Sequence, residues 1–367
     1  MSFIPNHIQN LQPYRPGKPV SEVQRELGLE RVIKLASNEN PRGPSPRAVA
    51  AIAGVLNEIH YYPNGGYDLR CALAERFNVN LENVIAGHGS EGLLGILMRT
   101  VLDDGDEMVT CRGTFVGFIV LARASGKTLK LAPPDNYRFD LEAILDLVTP
   151  RTKLIYLANP NNPTGTAFMA AEFERFMERV PPDVLVVMDE AYFEYAVRHS
   201  DYPDSLKYRF DNVVTLRTFS KAYGLAGVRI GYAFGHERII GSMLKVKFPF
   251  EPNSLAQAAA LAALDDEEFL RETVEMNARG ISVLTEGFVE LGFEPVSSLA
   301  NFVMLPLADE REVTRLYNAV LRKGIVTRPL AGFGFPHALR VSTGTDEQNA
   351  ACIEAFQQAL SETTVEP

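Results

Sequence analysis

The side chains best placed for chemistry cluster between Val213 and Phe234. A β-branched start, Val213-Val214-Thr215, leads to two hydroxyls, Thr218 and Ser220, then Lys221, Gly224 and Gly227, and then Arg229 on a second apolar strand. This order predicts a single amine at the mouth of a sheet. An apolar frame disfavours the ammonium, which lowers the amine's pKa and frees it to attack a carbonyl. Ser220, the glycine backbone and Arg229 offer donors suited to a phosphate beside that amine. An amine next to a phosphate cradle suggests pyridoxal 5'-phosphate.

Two further groups fit that chemistry. Asp189 follows the apolar run Val184-Leu185-Val186-Val187-Met188, and a carboxylate delivered to the end of a buried strand needs a cation, which a pyridinium nitrogen provides. Upstream, Gly87-His88-Gly89-Ser90-Glu91-Gly92 spells G-x-G-x-x-G between a strand and an apolar helix, so the amides of Ser90 and Glu91 face an anion at a helix N-terminus. The same motif suits a dinucleotide, and an NAD(P)-dependent oxidoreductase is therefore the alternative. Against it, the motif does not open the first βα unit, and the ribose position after the next strand offers Arg112 in place of an acid.

Ser220-Lys-Ala-Tyr-Gly-Leu-Ala-Gly-Val-Arg-Ile-Gly231 resembles the cofactor-lysine segment of fold type I aminotransferases, and of the histidinol-phosphate aminotransferase family in particular. Similar motifs run from about Tyr14 to Gly344. The resemblance implies that Lys221 holds the cofactor and then serves as base, that Asp189 faces the ring nitrogen, and that Asn162 of Asn159-Pro-Asn-Asn-Pro-Thr-Gly165 joins Tyr192 at the phenolic oxygen. It assigns Phe115 to stack on the ring and Ser90, Glu91, Thr218, Ser220 and Arg229 to the phosphate. Tyr62, before Pro63, would reach the cofactor phosphate of the other subunit in a homodimer. Tyr14, Asn38, Arg328 and Arg340 would meet the substrate. Arg340 lies between Leu339 and Val341 inside a strand, where a forked donor calls for a bidentate anion. His88, Glu91 and Gly92, and Arg112-Gly113 before Thr114-Phe115, depart from the family's usual Gly-Asn-Gly-Ser-Asp-Glu and Pro-Thr-Phe. The implied reaction is ping-pong transfer between an amino donor and 2-oxoglutarate. Histidinol phosphate leads as donor, and phenylalanine or tyrosine are alternatives.

Strands alternating with helical patterns must position these groups: strands near Val84 to Ala86, Met108 to Cys111, Lys127 to Leu131, Leu154 to Ala158 and Val184 to Met188, with helices from Ser45-Pro46 to about Ile59, from Asp140, and near Ala170 to Arg179. Such alternation means an α/β fold with a mostly parallel sheet covered on both faces and a ligand site at strand C-terminal ends. The expected division is an N-terminal arm over 1–40, a large cofactor domain over 41–250, and a linking helix, about Asp265 to Leu291, with a smaller C-terminal α/β domain over 251–367. Short strands near Phe302 to Leu305, Val326 to Arg328 and Leu339 to Ser342 belong to that domain.

The chain has 367 residues, 46% hydrophobic and 22% charged, an ordinary globular composition. With 36 basic and 46 acidic side chains the net charge is −10, which argues against a nucleic-acid footprint. Three scattered cysteines suggest neither a disulfide framework nor a zinc site. No run approaches the ~20 apolar residues of a membrane span, and no leader pattern opens the chain, so a cytoplasmic location is expected.

Overall fold

The computed structural model describes residues 3–11 and 17–363. Tyr14 lies outside them. The strands are β1 (Ile33–Lys34), β2 (Val84–Gly87), β3 (Glu107–Cys111), β4 (Thr128–Ala132), β5 (Thr152–Ala158), β6 (Leu185–Asp189), β7 (Val213–Thr218), β8 (Gly231–Phe234), β9 (Phe302–Pro306), β10 (Ile325–Val326), β11 (Arg328–Pro329) and β12 (Ala338–Ser342).

Seven of them form one sheet in the order β2-β8-β7-β6-β5-β3-β4. Only β8 runs against its neighbours, pairing antiparallel with β2 and β7 while the other pairs are parallel. Every residue of β2, β3, β6, β7 and β8 is buried, as continuous apolar runs covered on both faces require. The reversal of β8 matters for the site. Gly231 at its start pairs with Thr218 at the end of β7 and with Gly87 at the end of β2. Three chain segments therefore meet at one edge of the sheet.

A smaller unit holds the antiparallel sheet β11-β12-β9 under the helices Glu267–Glu290, Glu310–Arg322 and Asp346–Thr363. In Glu310–Arg322 the buried residues Val313, Leu316 and Val320 recur at helical spacing, so one stripe packs and the rest is solvated. The early strand β1 pairs in parallel with β10, and Ser342 N donates to Leu35 O at 2.8 Å. That pairing brings Asn38 to the end of β12.

Several sequence-based boundaries move. The helix that starts at the cap Ser45 stays α-helical only over Pro46–Val55 and tightens to a 3₁₀ turn over Leu56–Glu58. The stretch expected as one strand from Val326 to Arg328 is two, because the chain changes partners at Thr327, from β1 to β12. The linking helix begins after Asp266, whose carboxylate accepts from Phe269 N as its N-cap.

Candidate active site

Arg229 is not on a strand, as its apolar neighbours suggested. It precedes β8 in the left-handed conformation, φ 59°, and this turn aims its guanidinium back across the sheet end. Nη1 donates to Ala226 O at 3.1 Å and lies 3.4 Å from Ser220 Oγ. Thr218 Oγ1 donates to Ser220 Oγ at 3.0 Å and accepts from Ser220 N at 3.1 Å. The helix Gly89–Val101 starts opposite, and a Cβ on Gly231 would stand 2.7 Å from Ser90 N, so only glycine lets the two backbones approach this closely. Gly89, at φ 73°, faces the Arg229 Nη2 at 2.8 Å from where its own Cβ would be. Amides of a helix start, hydroxyls and a guanidinium thus converge on one point, which suits a phosphate.

Asp189 ends β6, 4% exposed. Tyr156, on neighbouring β5, donates its hydroxyl to Oδ2 at 2.7 Å, while the buried Oδ1 meets no hydrogen-bond partner among the described residues. Burial first of all lifts the carboxyl from 3.8 to about 6, and the Glu190 charge adds to it; the Tyr156 hydroxyl, the Ala191 amide and the Lys221 charge act the other way. An orphaned, buried carboxylate oxygen calls for a cationic donor.

Lys221 opens into the same cavity, of about 110 Å³. Its Nζ lies 5.6 Å from the centre of the Tyr192 ring. Burial, then the charge of Arg340, lowers it to about 8; Arg229 acts the same way, and Glu39 and Asp189 oppose them. An amine held near 8 has an appreciable neutral fraction close to physiological pH, far above that of an ordinary lysine, and can act as nucleophile or base.

Ser90, Glu91, Phe115, Asn162, Asp189, Tyr192, Thr218, Ser220, Lys221 and Arg229 all line this cavity, so ten of the sequence-derived site residues come together. Asn38 joins them from the other unit: its Nδ2 donates to Tyr192 Oη at 2.8 Å. Asn38 is itself held by Ser342, which accepts from its N at 2.9 Å and donates to its Oδ1 at 2.8 Å, and by Asn301, which donates to its carbonyl at 3.1 Å. Arg340, 4% exposed, donates through Nη1 to Asn162 Oδ1 and through Nη2 to Ala36 O at 2.8 Å. Asn162 thereby presents Nδ2 as its donor toward a ligand.

Arg328 pairs in register with Arg340 on the adjacent strand, and both guanidiniums lie 5.6 Å from the centre of the Phe333 ring. Arg328 does not line the cavity itself. Tyr62 stands apart, 80% exposed and stacked on Phe250 at 4.3 Å. Two contributors escaped the sequence reading. Tyr156 sits in an apolar strand where only its hydroxyl hints at a polar neighbour, and Glu39, paired with Lys34 at 2.8 Å, acts on Lys221 through space. Among the described residues no group of His, Cys, Asp and Glu could hold a metal ion, and no helix is long and apolar enough to cross a membrane.

The pattern of the family "Aminotransferase class I and II" matches residues 30–356. A histidinol-phosphate aminotransferase of Anaeromyxobacter sp. is 43% identical over 98% of this chain and 100% of its own length. The crystal structure of the histidinol-phosphate aminotransferase from Sinorhizobium meliloti in complex with pyridoxal-5'-phosphate superposes with a TM-score of 0.89 at 29% identity, covering 99% of both chains. An aspartate aminotransferase from Thermus thermophilus with maleate gives a TM-score of 0.82 at 25% identity, over 98% of this chain and 100% of that one. These similarities favour the amine-and-phosphate reading over the dinucleotide reading of Gly87 to Gly92.

Proposed function

Since the chain belongs to the class I and II aminotransferases, and within them to the histidinol-phosphate aminotransferase family, we propose that it is a pyridoxal-phosphate enzyme that moves the amino group of histidinol phosphate to 2-oxoglutarate. The observation that carries the cofactor reading is Asp189 Oδ1, a buried carboxylate oxygen without a partner among the described residues, in the cavity that also holds the Lys221 amine. The residues fit the group. Ser90, Glu91, Thr218, Ser220 and Arg229 would hold its phosphate, Asp189 its ring nitrogen, Phe115 its ring face, and Tyr192 with Asn162 Nδ2 its phenolic oxygen, all of them lining the one cavity. When bound, pyridoxal phosphate supplies a carbonyl for the amino group and a ring that accepts the electron pair left on the substrate α-carbon.

The protein's share is proton movement and binding. Neutral Lys221 Nζ removes the proton from the substrate α-carbon, a task its lowered pKa suits at neutral pH. Asp189 would stay ionised against a cationic ring nitrogen. Tyr156 fixes Oδ2 and so turns Oδ1 to the ligand. Asn38 orients the Tyr192 hydroxyl. Arg340, with Arg328 beside it, holds the anionic end of the substrate, and a pair of guanidiniums accepts a phosphate ester or a dicarboxylate in turn. Exposed Tyr62 is assigned to the phosphate site of a second copy, so the working unit is a homodimer.

Single-turnover spectra of the holoenzyme with histidinol phosphate, phenylalanine and tyrosine test the donor. Histidinol phosphate is expected to convert the bound cofactor with the highest kcat/KM. A higher value for either aromatic amino acid would overturn the assignment.

A further inference from the structure

Ser342, the last residue of β12, heads a chain of hydrogen bonds that ends on a residue lining the candidate active site. Its Oγ accepts from Asn38 N at 2.9 Å and donates to Asn38 Oδ1 at 2.8 Å, and Asn38 Nδ2 donates in turn to Tyr192 Oη at 2.8 Å. Asn38 and Ser342 stand 304 residues apart in sequence, Asn38 and Tyr192 154. None of the three is more than 2% exposed, so bulk water does not compete for these groups.

The direction of the chain is decided at its serine end. A backbone N–H can only donate, so the serine oxygen receives there and sends its own proton to Oδ1. An amide whose oxygen is the acceptor turns its NH2 to the tyrosine, and a phenol that accepts from Asn38 has its proton directed away from Asn38. Asn38 adopts this pose at φ 56°, a left-handed backbone that costs a non-glycine residue free energy. It is fixed there through its N, its side chain and its carbonyl, which accepts from Asn301 Nδ2 at 3.1 Å. Arg340, two residues before Ser342 on the same strand, lies on the same face of β12.

We propose that Ser342 is a positioning residue: by fixing the polarity of this chain it makes Tyr192 a donor, and not an acceptor, toward the phenolic oxygen of the cofactor. The proposal rests on the reading of the site as one for pyridoxal phosphate. Once the nitrogen that joins the cofactor to Lys221 has lost its proton, the charge on the phenolic oxygen is uncompensated, and a donor there favours that form.

The visible band of the cofactor-loaded enzyme is titrated with pH in wild type, Ser342→Ala, Tyr192→Phe and the double variant. The charged groups around the site, Glu39, Glu91, Asp189, Lys221, Arg229 and Arg340, are the same in all four. Ser342→Ala should move the midpoint upward by about 0.5 to 1 pH unit, the partial loss of one hydrogen bond to an anion. In the Tyr192→Phe background the same substitution should shift nothing, because the chain has lost its last member. Asn38→Asp, which when ionised can only accept, should draw the tyrosine proton to itself and move the midpoint upward at least as far. An unmoved midpoint in Ser342→Ala or Asn38→Asp, or a serine effect that persists undiminished in Tyr192→Phe, would overturn the proposal while leaving the cofactor assignment intact. A wild type without a visible cofactor band would overturn both.

Discussion

Asp189→Asn should change stability in opposite directions with and without cofactor. In the cofactor-free protein the carboxyl titrates at about 6, against an ordinary 3.8, because burial disfavours its charge. The folded state therefore holds that proton more tightly than the unfolded chain. Ionisation costs about 3 kcal/mol of stability at pH 7, a penalty complete above the folded pKa and lost as pH falls toward the unfolded value. Asparagine removes the penalty while its carbonyl still accepts the Tyr156 hydroxyl, so the cofactor-free variant should melt at or above the wild-type temperature at pH 7. The gap should close as the pH is lowered through 6 toward 4. With pyridoxal phosphate bound the order inverts. Removing one partner of a buried pair costs about 3 to 5 kcal/mol, which corresponds to at least about a hundredfold weaker cofactor binding. Melting curves from pH 4 to 8, with and without cofactor, measure both effects. A cofactor-free variant less stable than wild type at pH 7, or one with unchanged cofactor affinity, would refute this reasoning.

The rate at which cofactor attaches to the cofactor-free enzyme should rise with pH and level off above about 8, and Arg340→Gln should move that inflection upward by removing the second cause of the lowered Lys221 pKa; a wild-type inflection near 10.5 would contradict this. Arg340→Lys keeps charge but loses the fork, so KM for 2-oxoglutarate should rise about tenfold to a hundredfold in steady-state assays, with a smaller change in kcat. Gly113→Ala would set a Cβ 2.2 Å from Phe335 Cζ at φ 72°, and denaturant titration should show a loss of about 1 to 3 kcal/mol, partly restored by Phe335→Leu.

What could be read before the structure divides along physical lines. Asp189 was legible because it ends a continuous apolar run, where a polar group has few fates besides a ligand site, whereas Asn162 and Lys221 were legible through the motifs that resemble the aminotransferases. That Ser90 and Arg229 share the phosphate followed from the resemblance, but the means was not legible: β8 runs backwards between β2 and β7, and Arg229 reaches across from a left-handed turn before it. The contact between Asn38 and Tyr192 spans 154 residues and follows from β1 pairing with β10, a two-residue strand that local periodicity does not report. Tyr156 was hidden for the opposite reason: in a strand buried on both faces, alternation gives no sign of which side chain turns to the ligand.

The account stands most directly on the covalent attachment of cofactor at one lysine. Enzyme loaded with pyridoxal phosphate should be yellow, and borohydride treatment followed by peptide mapping should place the label on Lys221, with no label in Lys221→Ala. Label on another lysine, or a colourless protein that binds NAD(P)H, would contradict it.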